Sequence, residues 1–142
     1  MTIRWTEATA PSLDDIADIA QAAFDTLPPH LRALAGEVIF QIVDFAEEEV
    51  LEALGIENPF ELTGLYQGVD LSRRSVMDPE RLPPMVFLYR RPILDEWMEL
   101  GDVTLGELVT HVLVHEIGHH FGLSDDDIEA IEASAETSSA ES

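Results

Sequence analysis

The sequence predicts an α+β fold in which helices pack on a small mixed β-sheet of about three or four strands. Short apolar runs rich in β-branched residues have the length of strands, and the segments between them place apolar residues at helical spacing. The chain has 142 residues, 46% of them hydrophobic, which is enough for one domain with a core. We therefore predict a single domain over residues 1–131. The small, polar and acidic residues 132–142 are predicted to form a disordered tail.

The first helix is predicted to begin after Ser12, a residue type that caps helix N-termini well. Apolar residues then recur at helical spacing as far as Leu27, where the Pro28-Pro29 pair ends the helix. Residues 30–36 fit either a turn of helix or a loop.

Three segments are predicted as strands. Residues 37–45 (EVIFQIVDF) are apolar and β-branched, residues 64–69 are bounded by glycines, and residues 85–90 (MVFLYR) are limited by Pro84 and Pro92. Because proline is confined to the edges and ends of sheets, the third strand is predicted to lie at an edge.

The connections contain shorter elements. Residues 47–54 are predicted as a short acidic helix, and the Asn58-Pro59 pair marks a turn. Residues 70–84 show no periodic pattern and are predicted to form a long surface loop. Residues 93–100 are predicted as a helix of about two turns.

The last long helix organises the rest of the chain. It begins with Thr104 as N-cap and Glu107 three residues later, a capping box. Gly122 is predicted to end the helix, and Ser124 to cap a short helix after it. The apolar residues between occupy more than one side, so this helix is predicted to be buried: Leu105, Leu108, Val109, Val112, Leu113, Val114, Ile117 and Phe121.

Within this helix lies the pattern H-E-x-x-H, formed by His115, Glu116 and His119. Residues four apart lie on one face of a helix, so the imidazoles of His115 and His119 can reach one metal ion. Glu116 lies on an adjacent face, close enough to act on a metal-bound water. Ionisable side chains in a buried helix need partners, and a cation supplies one.

The longer pattern, with Gly122 and Asp125 at matching offsets, resembles that of the zincin metallopeptidases. The chain most resembles the small bacterial minimal zincin-like metallopeptidase domain proteins. Residues 64–68 (GLYQG) and 88–92 (LYRRP) are similar to that family as well, so the resemblance covers roughly residues 12–130. The metzincin Met-turn is missing, because no methionine follows Asp125.

The resemblance implies a role for each residue of the pattern. His115, His119 and Asp125 would be the ligands of a zinc ion, and Glu116 would be the general base. The glycine would let the chain turn sharply, so that the third ligand returns to the metal. Glu129 and Glu132 remain the alternative third ligands.

Composition limits the partners and the metal chemistry. The chain carries 29 acidic residues against seven basic ones, all arginine, and its net charge of −22 repels nucleic acid and anionic lipid. Neither is expected as a partner. Cysteine is absent, so a zinc site must use nitrogen and oxygen ligands. No signal peptide or membrane span is evident, and the cytoplasm is the expected location.

Several other residues could support such a site. His111 lies one turn before His115 and could contact it, although a structural role is the alternative; His120 and His30 are expected to be structural or surface residues. Tyr66 or Tyr89 could donate a hydrogen bond to an oxyanion, and the sequence does not choose between them. Five arginines could pair with the acidic surface or bind a substrate carboxylate: Arg73, Arg74, Arg81, Arg90 and Arg91.

The expected function is that of a zinc metallopeptidase, a hydrolase that cleaves a peptide or protein substrate with a metal-activated water. The alternative is a non-catalytic metal-binding or protein-interaction module on a zincin scaffold, because metal binding and turnover are separate properties. The oligomeric state does not follow from the sequence.

Overall fold

The computed structural model describes residues 5–36, 38–67, 85–124, 126–131 and 133. Leu34 and His119 are described by their backbone alone. This part of the chain has the predicted α+β fold, with helices packed on a three-stranded mixed sheet. The loop predicted for residues 70–84 lies outside the described residues. The tail predicted for residues 132–142 also lies outside them, apart from Ala133, which is helical.

The elements follow one another as the hydrophobic patterns predict. Residues 30–36, for which the sequence allowed either a turn of helix or a loop, are mostly helical. Residues 126–131 are helical too. The helices and strands are α1 (Leu13–Asp25), α2 (Pro29–Ala35), β1 (Ile39–Val43), α3 (Glu48–Leu54), β2 (Gly64–Gln67), β3 (Met85–Tyr89), α4 (Arg90–Leu100) and α5 (Leu105–His120).

The sheet has the order β1-β3-β2, so β3 is its central strand. It runs parallel to β1, with Met85 opposite Ile39, and antiparallel to β2, with Leu88 opposite Gly64. The prediction that this strand lies at an edge is therefore wrong. The physical reason is that Pro84 precedes the strand and Pro92 follows it, so neither proline removes a hydrogen-bond donor from the ladder.

Helix α4 begins at Arg90, three residues before the predicted start at residue 93. Pro92 therefore lies inside the first turn of this helix. The first N–H groups of a helix have no intrahelical acceptor, so a residue without an N–H is tolerated there. The start is tied to its surroundings by the Arg90 guanidinium, whose Nε lies 2.8 Å from Asp44 Oδ1 and whose Nη1 donates to the carbonyl of Pro11.

The predicted cap of α1 is confirmed. The backbone N–H of Ser12 donates to Asp15 Oδ2 over 2.8 Å, and the N–H of Asp15 donates to Ser12 Oγ over 3.1 Å. This reciprocal pair fixes the start of a helix whose apolar side packs on α5 and β1.

Two clusters of buried side chains lie on opposite faces of the sheet. Along β3, Val86 and Leu88 point into the main core, and Phe87 and Tyr89 point into the smaller second cluster. The second cluster is completed by Ala46, which precedes α3, and by Leu51 of α3, together with partly buried neighbours. The main core also draws on α1, α2, α4, α5 and the helical residues 126–131. Its fully buried members include Ile16, Leu31, Ile93, Val109, Leu113, Ile117 and Ile128.

Gly64 allows β2 to approach α5 closely. A Cβ at this position would lie 2.7 Å from Val112 Cγ1, 3.2 Å from the Phe87 carbonyl oxygen and 3.4 Å from Glu116 Cγ. Val112 has a stiff β-branched side chain and the carbonyl belongs to the backbone, so neither can give way without moving an element. The glycine thus holds the central part of α5 against the sheet.

Replacing Gly64 with alanine is expected to lower the free energy of unfolding by about 1–3 kcal/mol, the usual cost of overpacking a core. The matched control is Gly106→Ala in the first turn of α5, where a Cβ meets nothing closer than 4.0 Å. That change should be neutral or stabilising by up to about 1 kcal/mol, because alanine favours helix. Urea unfolding of both variants measures the difference, and equal stability of the two would contradict the close approach.

Candidate metal centre

Helix α5 has the predicted boundaries. At its start the backbone N–H of Glu107 donates to Thr104 Oγ1 over 3.1 Å. At its end Gly122 has a φ of +73°, and the N–H of Leu123 donates to the Gly118 carbonyl over 2.9 Å. This is the left-handed glycine termination that reverses the chain after a helix.

The reversed chain packs back on α5. Ser124 and Asp127 form a reciprocal capping box, with distances of 3.2 Å and 3.1 Å, which confirms the predicted cap. A Cβ on Gly118 would lie 2.8 Å from Ile128 Cγ1, so this second glycine allows the helical residues 126–131 to lie directly against α5. The sharp turn after the H-E-x-x-H pattern is therefore part of the fold.

The three residues of that pattern all belong to α5. His115 and Glu116 are half-buried, and His119 follows one turn later. The side chain of His119 lies outside the described part of the structure, and so does Asp125. Among the described side chains no three histidines or acids form a group able to hold a metal, but that set lacks two of the three predicted ligands. The ligand set remains a prediction.

Glu116 lies where α5 meets β2, beside Gly64. Its carboxylate also acts on the phenol of Tyr89. Burial raises the pKa of Tyr89 above its ordinary value, and the charges of Glu116 and Glu47 raise it further. Two carboxylates therefore act on one buried phenol at this end of the sheet.

His111 contacts the first predicted ligand. The ring centroids of His111 and His115 are 4.1 Å apart, with the ring planes inclined by 48°. His111 itself is exposed. The two rings lie one helical turn apart, as the spacing of four residues requires.

The sequence did not choose between Tyr66 and Tyr89 as an oxyanion donor, and the structure shows that the two differ in exposure. Tyr89 is only 2% exposed and lies in the second cluster, so it has almost no surface for a substrate. Tyr66 is half-buried and faces α5, with its ring centroid 4.1 Å from that of His120 and 5.9 Å from that of Phe121. Burial raises the pKa of Tyr66 above its ordinary value. Of the two tyrosines, Tyr66 is therefore the one with ring surface left open to solvent.

Two arginines of the described part have contacts with residues outside the H-E-x-x-H pattern. Arg90 pairs with Asp44, as predicted for the acidic surface, and the Arg91 guanidinium lies 5.9 Å from the centroid of the Phe45 ring. The alternative that these two bind a substrate carboxylate has no support from their contacts. Arg73, Arg74 and Arg81 lie outside the described residues.

The tyrosines allow a test of these surroundings by titration. The chain has two, Tyr66 and Tyr89, and both pKa values are raised. The ultraviolet absorbance of phenolate should therefore rise at a higher pH in the folded protein than in urea, where the midpoint is about 10. The unfolded chain releases these protons first, so stability should fall as the pH rises through about 10 toward the folded pKa values. Coincident folded and unfolded titrations would contradict this.

The predicted donor set suits zinc. His115 offers an imidazole at a half-buried position, His119 lies one turn along the same helix, and the chain has no thiolate that could compete. Two imidazoles with one carboxylate are a usual protein donor set for zinc, whereas calcium and magnesium are bound by oxygen ligands. A site beside the half-buried His115 and Glu116 would also leave room for a fourth ligand.

The zincin-like metallopeptidase family matches residues 35–135 of the 142. The chain belongs to this family. The match includes the whole sheet, α5 and the turn after it, and it begins after α1, which nevertheless packs on α5. No curated protein matches the chain. No helix in the described residues is long and apolar enough to cross a lipid bilayer.

Proposed function

We propose that this protein is a zinc-dependent peptidase in which His115, His119 and Asp125 hold the metal and Glu116 is the general base. The observation that carries the proposal is the position of His115 and Glu116. Both are half-buried on α5, where the helix packs against β2, in a member of the zincin-like metallopeptidase family. These side chains are reachable from solvent and yet held by the core.

The chemistry assigned to the protein is proton transfer. A bound zinc would supply a Lewis acid that polarises the scissile carbonyl and lowers the pKa of water. The Glu116 carboxylate takes a proton from the attacking water and passes it to the nitrogen of the leaving amine. Its half-buried position beside Gly64 limits the rotamers of Glu116, so that the carboxylate is held in place before the substrate arrives.

The substrate is proposed to lie along β2 rather than along β3. Both edges of β3 are used by β1 and β2, so this strand cannot accept a further one. The outer edge of β2 has no partner strand in the described part of the chain, and Gly64 brings this strand within contact of Glu116. An extended peptide can add to such an edge through backbone hydrogen bonds, and its carbonyl groups would then lie near α5.

The test combines metal content with cleavage. Protein purified without a metal-chelating tag is analysed for bound metals and then assayed against a mixed peptide library, before and after chelation and zinc replacement. The proposal expects zinc near one per chain and cleavage that chelation removes and zinc restores. Zinc binding without cleavage of any peptide would favour the non-catalytic metal-binding scaffold, and absence of zinc binding would exclude both and leave a protein-interaction module.

A further inference from the structure

A pair of stacked rings lies beyond the residues used in the proposed chemistry. The rings of Tyr66 on β2 and His120 at the end of α5 lie 4.1 Å apart between centroids, inclined by 34°, and Phe121 contacts both edge-on. His120 is exposed and Tyr66 is half-buried. The pair therefore presents ring surface to solvent on the side of the sheet that carries α5.

Strand β2 sets the position of the Tyr66–His120 pair relative to Glu116. Alternate residues of a strand face the same side, so Tyr66 shares the face of Gly64, which contacts Glu116. Two residues of a strand span about 7 Å. A peptide added to β2 has the same spacing, so its residue beside Tyr66 is two positions from the residue beside Gly64.

The charges of the protein itself favour a cation at this place. The pair lies at the C-terminal end of the 16-residue helix α5, where the helix dipole is negative. The exposed Asp126 and Asp127 follow soon after the helix ends. The chain as a whole has a net charge of −22. The described arginines are engaged elsewhere: Arg32 donates to the Leu27 carbonyl, Arg90 pairs with Asp44, and Arg91 lies over the Phe45 ring.

Building on the proposed peptidase function, we propose that the Tyr66–His120 pair binds a basic side chain of the substrate, arginine or lysine, two residues from the residue beside Glu116. A guanidinium or ammonium group is attracted to the face of an aromatic ring, and arginine also stacks on it. The preferred substrates are then basic peptides or basic segments of proteins.

The experiment measures kcat/KM for a set of otherwise neutral peptides in which arginine is moved through each position, with leucine and glutamate at the same positions for comparison. Zinc-loaded wild type should cleave peptides with arginine at one position about 2- to 30-fold more efficiently than peptides with leucine there. That position should lie two residues from the cleaved bond, or next to the residue that does. The gain should appear mainly in KM, because the contact is made before the reaction.

The variants test whether the rings cause this preference. Tyr66→Phe keeps the ring and should keep the arginine-to-leucine ratio, whereas Tyr66→Ala should bring it close to one. Because each ratio is taken within one variant, a general loss of activity or folding cancels. His120→Ala changes an exposed side chain and gives a second test, should Tyr66→Ala fail to fold. Trp5→Ala removes another exposed aromatic ring, 75% exposed, and should leave the ratio unchanged.

The outcomes distinguish the two proposals. Cleavage without any preference for arginine overturns the basic subsite and leaves the peptidase function standing. A preference that survives both Tyr66→Ala and His120→Ala also overturns it, because the attraction then comes from the acidic surface at large. Zinc-loaded protein that cleaves none of the peptides overturns the peptidase function and the subsite with it.

Discussion

Replacing Glu116 with glutamine is expected to slow peptide hydrolysis by about 10²- to 10⁴-fold while zinc stays bound. This is the usual contribution of a general base. The amide has the size and shape of the carboxylate, so the contact beside Gly64 is kept, but it cannot accept the proton of the attacking water. Elemental analysis measures the zinc, and kcat/KM on a cleaved library peptide measures the loss.

The control for this substitution is Glu107→Gln, which removes the same charge from an exposed position on the same helix. It should change kcat/KM little. Zinc lost from Glu116→Gln would mean that Glu116 is a ligand rather than the base. Full activity in Glu116→Gln would assign the proton transfer to another group.

Changing Glu116 to glutamine should also lower the pKa of Tyr89, because that carboxylate is one of the charges that raise it. This second effect requires no substrate. The change in the pKa of Tyr89 reports whether the Glu116 carboxylate lies near that phenol, even if turnover is too slow to measure.

The elements of this fold could be predicted because their signals are local. The caps predicted at Ser12 and Ser124 depend on residues within four positions of the chain, and the structure shows both, each as a reciprocal capping box. Gly122 ends α5 for an equally local reason, since only a residue without a Cβ adopts its positive φ readily. The use of local signals also explains why the predicted start of α4 lies three residues too late. The rule that proline ends strands and helices does not say that the first turn of a helix accepts one.

The order of the strands could not be predicted, because it depends on contacts between residues far apart in the sequence. Nothing within residues 85–90 says that β1 and β2 lie on either side of them. The choice between Tyr66 and Tyr89 failed for the same reason. Both lie in strands that are bounded by glycine or proline in the sequence. Only the packing of α3 on one face and α5 on the other buries Tyr89 and leaves Tyr66 partly open.

Helix periodicity predicted only the part of the candidate site that lies on α5. His115, Glu116 and His119 lie on α5 as the spacing requires. The contact of Gly64 with Glu116 joins two elements and had no physical signal in the sequence, although the similarity of residues 64–68 to the family marked the segment. Asp125 as third ligand remains a prediction from the pattern.

Replacing Asp125 with alanine is therefore expected to weaken zinc binding by orders of magnitude, because loss of one of three protein ligands leaves the ion under-coordinated. The chain reverses at Gly122, and Ser124 caps the helical residues 126–131, so residue 125 follows directly after this turn in the sequence. Competition with a chromogenic chelator measures the affinity.

The matched control is Glu129→Ala, which removes an exposed acid from the helical residues 126–131 and should change zinc affinity little. His115→Ala should lose zinc as Asp125→Ala does. Zinc should also raise the melting temperature of the wild type and of Glu129→Ala but not of the two ligand variants, because a ligand that binds the folded state stabilises it. Equal zinc affinity in Asp125→Ala and wild type would rule out Asp125, and a large loss in Glu129→Ala would assign the third ligand to that residue instead.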